Sequence, residues 1–169
     1  DRKMHAEYLP EPFEVGDEPL VSVSYSRNRD VGWLAGWGYN IIGVNASAVF
    51  NGQEDHLAGS YCLVLWENLT DPILTGREKE GIPKIYADIP DHTVVEGVWR
   101  ACASYRGHKI VDLSVEDLNP LPSDQVKELE QRSSEGNWMG WKYIPNPDGN
   151  GAEVSHATLF PTRSSYAAV

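Results

Sequence analysis

The stretch Gly76-Arg77-Glu78-Lys79-Glu80-Gly81-Ile82-Pro83-Lys84 decides how this chain is read. Pro83 fixes its own backbone and pushes Ile82 out of the helical region, so Lys84 opens a strand on a stiff approach. If residues 80 to 84 run extended, Glu80, Ile82 and Lys84 point to one face. That places an apolar side chain and a carboxylate beside an amine, the setting that imine chemistry needs. Only a neutral amine attacks a ketone, and a free lysine with a pKa near about 10.4 is neutral in on the order of one molecule in a few thousand at pH 7. Apolar burial disfavours the ammonium. The iminium that results is a cationic electron sink, able to accept the electrons of a decarboxylation or to stabilise the enamine of an aldol step. Lys84 is a candidate nucleophile, the alternative being a surface lysine at a strand start, with Ile82 as the apolar neighbour facing substrate and Glu80 as the carboxylate on the same face. Arg77 can bind a carboxylate through two parallel hydrogen bonds. It is a candidate substrate ligand or, with Glu78, a brace for the loop.

Outward from this segment the chain reads as short strands. Val21 to Ser26 alternates apolar and polar residues, the mark of a half-buried strand. Ser60 to Trp66 is a continuous β-prone run, expected to be buried on both faces. Ile73 to Thr75 and Lys84 to Ile89 are expected as two short strands flanking the motif. Val94 to Tyr105 and Lys109 to Leu113 read as a strand pair around Gly107. Met139 to Ile144 and Ala152 to Phe160 flank the strong turn signal Pro145-Asn146-Pro147-Asp148-Gly149-Asn150-Gly151. One helix is expected, with Ser123 as N-cap, Asp124 in its first turn and Gly136 as its stop. Eight or more strands without βαβ alternation predict a mainly β, mostly antiparallel domain.

Length and composition bound the function. The 169 residues fit one domain, and 41% hydrophobic content with six Trp and eight Tyr supports a core. A net charge of -11 argues against nucleic acid and against anionic lipid surfaces. No apolar run reaches the length of a membrane span. Cys62 and Cys102 sit in apolar strand-like runs and are expected to be buried reduced thiols, which fits a cytoplasmic location. The five histidines are scattered without ligand spacing, so no metal and no cofactor is expected. Ser164-Ser165 lacks the context of a nucleophile elbow. Trp33, Trp37 and Tyr39 form an aromatic cluster that lines either the core or a ligand pocket, and Tyr39 is taken as a candidate substrate contact.

Gly76-Arg77-Glu78 followed by Gly81, Pro83 and Lys84 resembles the Gly-Arg-Glu-x-x-Gly-x-Pro-Lys signature of the acetoacetate decarboxylases. Weaker similarity runs through Leu9 to Phe13, Phe50 to Gly52, Arg100 to His108 and Tyr143 to Gly149. The resemblance implies an antiparallel β-barrel or cone whose interior holds the lysine. It also implies Schiff-base lyase chemistry at Lys84, with Glu80 as the candidate acid–base helper, on a small keto acid, by decarboxylation or by aldol condensation and dehydration, in a homo-oligomer. The match implies a single domain over 1–169 that is truncated at both ends. Three positions depart from the family pattern. Ile85 stands where the decarboxylases carry a second lysine. Ser24 and Ile41 fall where they carry glutamates, and their N-terminal arginine would lie before Asp1. The alternative expectation is a non-catalytic small-molecule-binding barrel that kept the scaffold.

Overall fold

In a computed structural model, which describes residues 1–134 and 136–162, the chain is built on two β-sheets. The larger has seven strands: β1 (Phe13–Val15), β2 (Val21–Asn28), β3 (Tyr39–Asn51), β4 (His56–Glu67), β5 (Lys84–Tyr86), β9 (Asn137–Pro145) and β10 (Ala152–Pro161). The smaller is the antiparallel meander β6 (Thr93–Val95), β7 (Val98–Tyr105) and β8 (His108–Val115). The mainly β, mostly antiparallel expectation holds. The pairings β4–β5 and β4–β9 are parallel, and neither sheet closes on itself among the described residues, so barrel or cone is too strong a word for this chain.

Three expected elements differ. Ile73 to Thr75 is not a strand. It ends the helix α2 (Thr70–Thr75), which runs on into a π-helical turn at Gly76–Glu80. The start signal was Asp71 and Pro72 in the first helical turn, where an acid suits the dipole and a proline loses no hydrogen bond. Val94 to Tyr105 is not one strand, because Glu96 and Gly97 both take positive φ and fold it into the β6–β7 hairpin. Besides α2, a short helix α1 (Arg2–Ala6) precedes the sheet, and the expected helix is α3 (Ser123–Ser134). Val126 donates to the Pro122 carbonyl at 3.0 Å, so Ser123 lies inside the first turn of α3 and does not cap it.

Alternation along β3 and β4 divides the core. Ile42 and Trp66 stand opposite one another in the register and turn to one face, where Ile42 packs with Ala87, Ile89 and Ala103 beneath the small sheet. Ile41 and Glu67, one position on, turn to the other face. There Leu65 joins Cys62 and Ile82, with Trp138 and Phe160 packed against them. A third cluster, Phe13, Ala48, Tyr61 and Met139, fills the far end of the sheet. The alternation in β2 is real, yet Val21 and Val23 remain exposed, and of its apolar positions only Tyr25 is half-buried.

Candidate functional site

Parallel pairing of β4 with β5 sets Lys84 opposite Leu65 and leaves its side chain on the face that carries Glu67. Lys84 Nζ lies 3.0 Å from Glu67 Oε1. Both residues are buried, Glu67 completely and Lys84 to 7% exposure. Glu67 Oε2 accepts no hydrogen bond from the described residues. Burial pushes the Glu67 carboxyl above the usual carboxylate range, and Glu80 adds to that. Lys84 opposes it by charge and by hydrogen bonding without cancelling it. A buried acid that holds protons more tightly than usual, in contact with a lysine amine, is equipped to exchange a proton with it.

The loop before Lys84 owes its shape to two glycines. Gly76 lies so close to the Lys84 side chain that a β-carbon there has no room. Gly81 takes φ +74 and ends the π-helical turn, and its α-carbon faces the Lys142 backbone of β9, where a side chain would collide. The Gly81 and Ile82 amides both donate to the Gly76 carbonyl. Arg77 Nη1 donates to the Lys84 carbonyl at 3.1 Å.

A cavity of about 490 Å³ opens over the pair. Its walls come from Trp33, Tyr39 and Ile41, from Leu65 and Glu67 on β4, from Pro72, Thr75, Gly76, Lys79 and Glu80 on the helical crossover, and from Trp138 on β9. Trp138 is fixed by donation from Nε1 to Asn45 Oδ1 at 3.0 Å. The Tyr39 phenol is pushed up by burial and then by the charges of Glu67 and Glu80, which keeps its proton available for donation. Beneath the floor, burial pushes the Cys62 thiol up to about 12 against the pull of Lys84, so Cys62 is packing and not a nucleophile. Cys102 is only half-buried.

The structure thus brings together Lys84, Glu80 and Tyr39, though Glu80 arrives by a different route. It belongs to the π-helical turn and not to an extended strand face. Ile82 is 1% exposed and packs under the cavity with Cys62 and Leu65, so it does not face substrate. Arg77 lies outside the cavity lining and braces the Lys84 backbone, with Glu78 beside it in a separate depression against β9. Trp33 joins the cavity wall, whereas Trp37 is exposed elsewhere. The residue missed from sequence is Glu67. Its signal was an acid closing an apolar strand, two residues after Leu65 and therefore on the same face. Ser164-Ser165 lies outside the described residues. Among the described residues no cluster of three metal-ligating side chains exists.

Comparison with known proteins gives a consistent result. The family described as acetoacetate decarboxylase matches residues 1–169. Two curated acetoacetate decarboxylases, from Burkholderia ambifaria strains MC40-6 and AMMD, are each 32% identical over 152 residues. That match takes in 85% of this chain and 54% of theirs, so the chain spans about half the length of these relatives. The crystal structure of acetoacetate decarboxylase from Legionella pneumophila aligns with a TM-score of 0.75 at 22% identity, over 94% of this chain and 59% of that one. The enduracididine biosynthesis enzyme MppR, solved with pyruvate, aligns at a TM-score of 0.65 and 17% identity, over 86% of this chain and 60% of that one.

Proposed function

Because the chain belongs to the acetoacetate decarboxylase family, we propose that it is the Schiff-base-forming part of a carbon–carbon lyase for small keto acids, with Lys84 as the imine-forming lysine. The observation that carries this reading is the 3.0 Å contact between Lys84 Nζ and Glu67 Oε1 at the wall of the cavity. In the proposed sequence Glu67 takes a proton from the ammonium, and the freed amine forms a bond to the ketone carbon. Glu67 or the Tyr39 phenol returns a proton as the carbinolamine loses water, leaving an iminium. The iminium then accepts an electron pair, either from a departing carboxylate as CO₂ leaves or from an α C–H bond to give an enamine for aldol condensation. Glu80, in the cavity wall, carries the second proton in this reading. A homo-oligomeric state, which rests on family membership, and a cytoplasmic location, which rests on Cys62 and Cys102 as reduced thiols, belong to the same reading.

Borohydride reduction in the presence of acetoacetate or pyruvate tests it. Hydride addition to the iminium leaves a secondary amine, and peptide mapping should locate the added mass on Lys84. An unmodified Lys84 after reduction with both acids sinks the proposal. A second reading, a keto-acid-binding protein without chemistry, is favoured by the engagement of the amine with Glu67 and by Ile85 in place of a second lysine. It calls for keto-acid binding with no trapped adduct.

A further inference from the structure

Besides Lys84, the cavity wall holds one other cation among the described residues, Lys79 on the π-helical turn. Lys79 is exposed and makes no ion pair with any described residue, whereas Lys84 is committed to Glu67. A keto acid entering this cavity carries a carboxylate past Glu80, which disfavours it by charge, while Glu67 is matched by Lys84. Lys84 is not free to dock that carboxylate, because its ammonium is paired with Glu67 and its amine must be neutral to attack. Trp33 and Trp138 in the wall offer ring surface and no positive charge. We propose that Lys79 is the residue that binds the substrate carboxylate and so selects keto acids over neutral ketones. This inference rests on the reading of the cavity as the keto-acid site. A lysine carries its point charge on a flexible stem, which suits a docking role more than a rigid fork would. Its contact forms when the acid binds and is not strengthened as the carbonyl reacts, so its effect falls on half-saturation more than on the limiting rate.

Two arms test the assignment on the full chain. In the first, borohydride trapping at Lys84 is titrated with pyruvate and with butanone in wild type, Lys79→Gln and Lys79→Arg. The ratio of pyruvate to butanone half-saturation should rise about threefold to fivefold in Lys79→Gln, fall back in Lys79→Arg, and shrink towards one value for all three proteins in high chloride. A ratio equal to that of wild type overturns the assignment. In the second arm, lactate, which has no carbonyl and forms no imine, is titrated against tryptophan fluorescence at constant ionic strength. Weaker lactate binding in Lys79→Gln supports the carboxylate site even if no adduct forms at Lys84, in which case only the imine reading fails. Lactate binding that ignores Lys79 overturns the carboxylate site even if the adduct forms.

Discussion

A β-carbon on Gly76 would lie 2.3 Å from Lys84 Cε, so the glycine's missing side chain and the lysine's methylenes occupy one space. The first glycine of the motif is therefore part of the lysine's own packing. Gly76→Ala must displace Lys84 or the turn, at a cost of about 1–3 kcal/mol. The variant should keep its β-sheet circular dichroism and lose most borohydride trapping. Trapping at the wild-type rate would show that the lysine has another resting position.

The Glu67–Lys84 pair should behave as a unit. Glu67→Leu leaves a buried lysine without its counter-ion, and Lys84→Met leaves a buried carboxylate alone. Each should lower stability to urea by about 3 kcal/mol. The double variant replaces both charges with apolar volume and should recover most of that loss. Simple addition of the two single losses would mean that the contact carries no coupling.

Stability should depend on pH with two opposite signs. The folded Glu67 carboxyl is raised, chiefly by burial, so the folded state binds its proton more tightly than the unfolded state does. Its contribution is full below the ordinary carboxylate value and is lost as pH rises towards the raised one. Asp91 is the reverse. Hydrogen bonds from Asn40 and Arg29 hold it below the usual range, so its contribution is present above the ordinary value and lost as pH falls. Urea midpoints followed from acid to neutral pH should show the upper slope flattened in Glu67→Gln and the acid-side loss flattened in Asp91→Asn.

Ile82 is core, and its truncation should read as a core defect. Ile82→Ala removes a nearly fully buried side chain from the cluster with Cys62 and Leu65 and should cost about 2–5 kcal/mol. Well below the melting temperature its preference for pyruvate over butanone should match wild type. A changed preference would return Ile82 to the substrate-facing side.

Arg77 separates bracing from substrate binding. Arg77→Met loses the 3.1 Å bond to the Lys84 carbonyl, worth about 1 kcal/mol. Its trapping should slow equally for acid and neutral ketone, in contrast to the selective effect expected at Lys79.

What could be read in advance follows from the range of the physics involved. Strand alternation and the turn at residues 145–151 are local, and they located the β9–β10 hairpin and the mainly β class. Lys84 was singled out by the resemblance of the segment from Gly76 to Lys84 to the family signature, since a lysine opening a strand is by itself unremarkable, and its side chain does line the cavity. Ile82 and Glu80 were assigned to one face by assuming extended backbone, and the positive φ at Gly81 breaks that assumption between them. Glu67 was out of reach for a different reason. Its meaning comes from the parallel register that sets Leu65 against Lys84, and a parallel register is made by the crossover, not by either strand alone.

The docking of Gly81 on the Lys142 backbone has a consequence for synthesis of the chain. A ribosome makes Glu67, the crossover and Lys84 within one short stretch, and local contacts can bring the pair together early. The strand on which Gly81 rests, and the Trp138 wall with it, is translated more than fifty residues later. Until that strand arrives the nascent lysine has a partner but lacks the Trp138 wall. A nascent chain stalled before β9 would therefore meet cellular carbonyl compounds with Lys84 only half enclosed.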